Sequence, residues 1–312
     1  MDSRGVAYLV LCNLTIGGFG VTSSILSAAG VSPFSQTFWR FLFAAAIFIS
    51  VALALYGREV VPRKNGLVIM AVAGGLMILA SLTYIGAIAV GVPVPVVSFL
   101  SEMSVMFTVL LAVPLLHEPL TRTKLMVIAL GIGGVALISQ PWTATQGNLT
   151  GELLVLVNAI AFALLTIFNS EYIKNRRTKP QLVSTWMFTG AALWSLPLLA
   201  FGAVQAPAGL SADEPWLLVT MAFFFTFVAY SLMNLGLKTI GAGSTSLISL
   251  LSPVSSTMLS YVVLGEVVGV LSGIGCALIV LGVLILALTD NLEARRRIWH
   301  SGTMPAPSSS SS

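Results

Sequence analysis

Ten runs of roughly twenty apolar residues, each closed by polar residues, glycine or proline, fill almost the whole chain. They lie at approximately 5–29, 34–56, 66–90, 94–116, 122–140, 149–173, 181–203, 214–238, 243–264 and 267–289. As a helix, a run of that length matches the hydrocarbon core of a bilayer, about 30 Å thick. Lipid offers no partner to a free N–H or C=O, so a spanning segment must be a helix or part of a closed barrel. The period-two alternation of a barrel strand is absent. The expected fold is therefore all-α, a polytopic membrane protein of ten transmembrane helices.

Composition agrees and removes other classes. The 312 residues are 57% hydrophobic and only 8% charged, against about 25% charged in a soluble domain. A soluble enzyme, a disordered chain and a disulfide scaffold are excluded. Cys12 and Cys276 both lie in apolar runs and read as small buried hydrophobes. Apolar sequence continues from Val6 to Ala29, too long for a signal-peptide core, and no clear cleavage site follows.

Orientation follows from the basic residues. With the N-terminus placed in the cytoplasm, the cytoplasmic segments hold Arg4; Arg58, Arg63 and Lys64; Arg122 and Lys124; Lys174, Arg176, Arg177 and Lys179; Lys238; and Arg295, Arg296 and Arg297. The outer loops then hold no Lys or Arg, and Asp213 and Glu214 fall outside. This sorting obeys the positive-inside rule and predicts ten spans with both termini cytoplasmic. It also accounts for the net charge of +4, so the basic balance does not point to nucleic acid.

The two halves repeat. LVLCN at 9–13 matches LVLVN at 154–158, which pairs Asn13 with Asn158. Pro33, Trp39 and Phe41 match Pro180, Trp186 and Phe188; Ser81, Leu82, Gly86 and Gly91 match Ser231, Leu232, Gly236 and Gly241. FLSEMS at 99–104 matches LLSPVS at 250–255, and Glu118 matches Glu266. Each half has an odd number of spans, so the halves cross the membrane in opposite senses. Inverted repeats of this kind characterise secondary transporters. The expected organisation is a first five-helix repeat over 1–140, a second over 148–290, and a basic, low-complexity cytoplasmic tail over 291–312.

Five plus five helices, with LLHEPLTRTKLMVIALGIGGVAL at 115–137 and VVLGEVVGVLSGIGCALIVLGVLI at 262–285, resemble the drug/metabolite transporter superfamily, and its EamA-type repeat most closely. Bacterial aromatic amino acid exporters of the YddG type are similar in length and layout. The resemblance covers about residues 5–290; it is specific for fold and weak for substrate. It implies export by alternating access, with the site between the repeats near helices 1, 3, 4, 6, 8 and 9. One departure stands out. Members of this family usually carry proline in both copies of the helix-4 and helix-9 repeat, whereas this chain has Pro253 in one and Glu102 in the other.

Charge inside the membrane is scarce, which makes each instance informative. Glu102 lies about eight residues into helix 4, roughly 12 Å deep, where a carboxyl is costly unless paired, protonated or hydrated. It reads as an anchor for a substrate amine, a proton carrier, or half of a structural ion pair. Arg40, about six residues into helix 2, reads as its partner, as a snorkelling side chain, or as a bidentate holder of a substrate carboxylate. Together the two would complement a zwitterion and favour an amino acid.

Thr245, Ser249, Ser252, Ser256 and Ser260 recur at helical spacing along helix 9, with Ser98, Ser101 and Glu102 as the matching face of helix 4. Such faces line a pathway or pack helices through hydrogen bonds. Pro253 interrupts the helix-9 ladder. Asn13 and Asn158 read equally as cross-links and as cavity lining, and Tyr84 is matched to Asn234. Trp39 and Trp186 fit either an aromatic substrate or the interfacial belt. Glu118 and Glu266 suit the N-termini of helices 5 and 10. Gly269 and Gly273, like Gly131, Gly133 and Gly134, suggest close helix approach.

Enzyme signatures are absent: there is no HExxH, Walker A or GxSxG and there are only two histidines. The combined expectation is a non-enzymatic secondary transporter of the bacterial inner membrane that needs no metal or cofactor. It would carry a small metabolite, above all an amino acid, including aromatic ones. Partners are the lipid bilayer and the substrate; a monomer is plausible and the oligomeric state stays open. The rivals are a drug or other-metabolite exporter on the same fold, and a non-transporting membrane receptor or scaffold.

Overall fold

The computed structural model describes residues 2–90, 92, 94–143, 149–205, 214–265 and 269–300; at 24, 88, 89, 94, 95, 98, 143, 264 and 290–300 it describes the backbone only. Ser98 is one of the latter, so its side chain lies outside the described residues, as Glu266 does altogether.

Among the described residues ten helices are long and apolar enough to cross a membrane. They are α1 (Ser3–Ala28), α2 (Pro33–Val60), α3 (Lys64–Ala87), α4 (Phe99–Leu116), α5 (Arg122–Ser139), α6 (Leu149–Asn175), α7 (Pro180–Ala200), α8 (Glu214–Thr239), α9 (Ala242–Val263) and α10 (Val270–Thr289). Local chemistry sets several ends. Ser32 Oγ accepts from Ser35 N ahead of Pro33 in the first turn of α2, and Thr121 Oγ1 accepts from Lys124 N at the start of α5. Gly265 takes a left-handed conformation (φ 69°) after α9. The flanks of the bundle are apolar: Leu55, Val262, Leu288 and Phe201 are all exposed. A water-facing surface this apolar would aggregate, whereas one facing lipid is at home.

Helix pairing follows the internal symmetry. α2 packs on α7 and α5 on α10, each against its own counterpart in the other half. The contact of α3 with α6 is mirrored by that of α8 with α1, and the contact of α4 with α6 by that of α9 with α1. A two-fold pseudosymmetric arrangement of five-helix halves generates this pattern.

Two helix contacts, α3 with α7 and α5 with α10, depend on glycine. α3 and α7 cross where a Cβ on Gly74 would lie 2.6 Å from the Gly190 carbonyl carbon and a Cβ on Gly190 would collide with the Met70 carbonyl oxygen. Gly190→Val should therefore force the helices apart and destabilise the protein by about 1–3 kcal/mol, read as a lowered midpoint of thermal unfolding in detergent. In α10 the close approach is made by Gly275, whose Cβ would lie 2.5 Å from the Gly134 oxygen. At the expected pair, Gly269 and Gly273, and at Gly133, no described residue comes within 4 Å of an added Cβ.

Several helices are broken, and the sequence features that point to such breaks are Pro253 and the glycines of helix 1, Gly17, Gly18 and Gly20. α1 is interrupted at Gly17, between Ser3–Ile16 and Gly18–Ala28. The α4 rod consists of Val94–Ser101 and Met103–Leu116, with Glu102 at the joint. α9 is interrupted at Leu250, between Ala242–Ser249 and Leu251–Leu259. Pro253 has no N–H to offer the Ser249 carbonyl, which explains the last break. Wider π-helical turns occupy Glu171–Asn175, Phe223–Val228 and Ser260–Leu264. Such turns often accompany functional sites.

Candidate substrate pathway

The basic residues gather at one end of the bundle. The turn between α2 and α3 meets the turn between α6 and α7 through Glu59 and Lys179 at 2.7 Å. A cavity of about 490 Å3 there is bordered by Arg58, Arg63 and Trp186, and one of about 480 Å3 by Lys174, Arg177, Lys179 and Lys238. At this basic end the second segment of α4, Met103–Leu116, packs on the first segment of α9, Ala242–Ser249. The remaining segments diverge. Val94–Ser101 packs on α6, α5 and α3, whereas Leu251–Leu259 packs on α1 and α10. The two rods thus meet near the basic end and separate beyond their breaks.

Arg40 sits in the half of α2 remote from the basic end. Its guanidinium carbon lies 4.7 Å from the Phe19 ring centre and 4.5 Å from that of Phe41. Tyr230, just past the π-helical turn of α8, is its electrostatic neighbour. Its Nε is buried with no hydrogen-bond partner among the described residues. Glu102 is half-buried at the joint of α4, and no hydrogen bond or ion pair of its carboxylate occurs among the described residues. The two intramembrane charges do not pair with each other. That removes the structural ion pair as the explanation of Glu102.

The polar residues divide by what they bond. Ser101 Oγ donates to Val97 O and Ser249 Oγ to Thr245 O, each within its own helix. Ser256 Oγ donates to Gly17 O and Ser255 Oγ to Asn13 O, so α9 grips α1 where α1 is broken. Ser252 is half-buried, and the Thr245 hydroxyl is buried without a partner. The break at Leu250 therefore divides the expected continuous face of α9. Asn13 is 2% exposed and donates to Leu9 O in its own helix. Its match Asn158 cross-links α6 to α3 through Ala80 O at 2.8 Å, and its Oδ1 is left without a partner.

The aromatic candidates are held by the frame. Trp39 donates to Gln205 O at 3.0 Å and packs on Phe38 and Phe43 at the end remote from the basic cluster. Trp186 donates to Val60 O at 2.9 Å and is 8% exposed, near the basic end. The two lie at opposite ends, as repeat-equivalent residues of inverted halves should. Tyr84 is half-buried among Val96, Leu100 and Leu154.

Some interior polar groups had no expected role. Asn234 donates to Ser184 Oγ at 2.7 Å, tying α8 to α7. Ser231 Oγ, Asn234 Oδ1 and Asn169 Oδ1 are buried without partners. Buried polar atoms rarely stay unsatisfied, so these sites call for water or solute. Their sequence signal was present, since Ser231 and Asn234 align with Ser81 and Tyr84.

An all-helical membrane bundle of two inverted five-helix halves, with unpaired charge in its interior, defines the transporter class. The chain belongs to the EamA-like transporter family, which matches it twice, over residues 3–140 and 149–288. It is 26% identical to the uncharacterized transporter YyaM of Bacillus subtilis over 81% of this chain and 84% of that one. It is 26% identical to the S-adenosylmethionine uptake transporter of Rickettsia prowazekii (84% and 85%) and 27% identical to a probable terminal-alkyne amino-acid exporter of Streptantibioticus cattleyicolor (72% and 74%). A solved crystal structure 19% identical in sequence superposes with a TM-score of 0.80, covering 94% of this chain and 100% of that one. It shares the fold.

Proposed function

We propose that the protein exports amino acids, aromatic ones included, by alternating access across the bacterial inner membrane, with both termini in the cytoplasm. The observation that carries this reading is that the two intramembrane charges, Arg40 and Glu102, each lack a charged partner among the described residues. An isolated charge at such depth is expensive, and a zwitterion would neutralise both. In this reading Arg40 receives the substrate carboxylate in a fork geometry, and Glu102 receives the ammonium group.

The pathway runs between residues 1–140 and residues 148–290. Thr245 and Ser252 of α9, Ser101 of α4, and Asn158 of α6 border it. Asn13 and Ser256 shape it through the α1 break, and Ser249 through α9. The basic end is the cytoplasmic end. The joined inner segments of α4 and α9, and their diverging outer segments, then correspond to a state open to the outside. The probable terminal-alkyne amino-acid exporter among the relatives supports the substrate class.

Counterflow in proteoliposomes tests the reading. Vesicles loaded with unlabelled amino acid should accumulate the labelled amino acid, and a parallel panel of lipophilic cations should not exchange. Exchange of the cations alone would replace the substrate class with the drug-exporter reading. Exchange in neither panel would remove the transporter reading of this chain.

A further inference from the structure

The turn after α4 places Glu118 in a position that its own hairpin does not explain. A carboxylate there suits the N-terminus of α5, the next helix. Instead its Oε1 accepts from Ala242 N at 2.6 Å and its Oε2 from Gly243 N at 3.2 Å, the first N–H groups of α9. Lys124 Nζ, from the first turn of α5, lies 3.3 Å from Oε2. Lys174, at the end of α6, is within electrostatic range of both Glu118 and Lys124. One carboxylate therefore joins α4 and α5 of the first half to α9 of the second. It does so at the end where the α4 and α9 rods are in contact.

The backbone around it is built to admit it. A Cβ on Gly241 would lie 2.5 Å from Glu118 Oε1, and a Cβ on Gly243 would lie 3.1 Å from Oε2 and 3.4 Å from Lys124 Nζ. Any side chain at 241 would push the carboxylate out. The N–H groups it binds belong to the first turn of a helix, which has no intrahelical acceptor for them, and the positive end of that helix adds attraction. Glu118 and Lys124 side chains are only 15% and 9% exposed, so water screens the contact weakly.

We infer that Glu118 is a positioning residue of the transport cycle: a latch that holds the two halves together at the basic end and must release α9 before the pathway opens there. In an inverted-repeat transporter the two mouths open in turn by movement of one half against the other. A contact between halves confined to one mouth must break when that mouth opens. Exchange between the two states thus has the Glu118–α9 contact as one of its steps. The inference rests on the transporter reading but not on the identity of the substrate.

The test reads access without any substrate. A reporter, Thr245→Cys, is placed on the buried face of α9 (Thr245 is 1% exposed), with Cys12→Ala and Cys276→Ala removing the native thiols. A membrane-impermeant maleimide is applied to the basic end in inside-out vesicles. With Glu118 intact, labelling should be slow. Glu118→Ala should raise its rate at least about 5-fold, and Glu118→Asp, which keeps the charge on a shorter arm, should fall between. Gly241→Ala should also raise it, because it displaces the carboxylate without removing it. If Glu118→Ala does not fold, Gly241→Ala decides alone. Unchanged labelling in folded, monodisperse variants overturns the latch. Faster labelling, when the unaltered protein exchanges no amino acid, upholds the latch and overturns only the substrate class.

Discussion

Arg40→Gln is expected to lower amino-acid exchange about 100-fold while leaving the bundle folded. The loss follows from the chemistry proposed for the guanidinium. A hydrogen bond to a charged group contributes about 1.5–3 kcal/mol, and two in a fork would be lost together. What the frame loses is smaller. Arg40 lies over Phe19 and Phe41, contacts worth about 0.5–2 kcal/mol each at most, and its Nε has no protein partner to abandon. Arg40→Lys keeps the charge and loses the planar fork, so it should retain about a tenth of the exchange. The measurement is initial counterflow rate against substrate concentration, beside a thermal melt of each variant. A fall in unfolding midpoint that tracks the fall in exchange would assign Arg40 to the frame instead.

Glu102→Gln should weaken exchange about 10- to 100-fold, and adding Arg40→Gln should not restore it. This double variant separates two accounts of intramembrane charge. Were the pair a structural ion pair, each single change would leave a buried charge exposed to hydrocarbon and the double change would relieve it. No ion pair joins them among the described residues. Their losses should instead compound rather than cancel, because neither side chain is relieved by removal of the other. Recovery of exchange in the double variant to more than half of the unaltered rate would contradict the proposed site.

The ten spans were legible because each is a run long enough to cross lipid, and the basic residues sort by parity of span. The structure gathers Lys174, Arg177, Lys179 and Lys238 around one cavity at one end, as that sorting requires. The inverted pairing of halves was also legible, through Asn13 and Asn158 or Trp39 and Trp186. Their roles were not. Asn158 bonds across to Ala80 O whereas Asn13 bonds within its own helix. Equivalent sequence positions acquire different partners once the halves sit on opposite sides of an asymmetric conformation.

Breaks in helices were harder to read. Pro253 announces one, since a missing N–H is a local property. The joint at Glu102 has no such mark, and the π-helical turn at Phe223–Val228 contains neither glycine nor proline. The contact of Glu118 with α9 spans 124 residues of sequence. Spacing pointed to α5, which is nearer in the chain, and only the packing of α4 against α9 brings the farther helix terminus within reach.

Recognition of a zwitterion is the central claim, and competition by blocked substrates tests it most directly. In counterflow with a labelled aromatic amino acid, the unlabelled parent should compete fully. Its methyl ester lacks the carboxylate for Arg40, and its N-acetyl form lacks the ammonium for Glu102. Each should compete at least about 10-fold more weakly, the loss of one charge-assisted contact. Equal competition by the ester, the N-acetyl form and the parent would contradict the account, because no site built on Arg40 and Glu102 could fail to tell them apart.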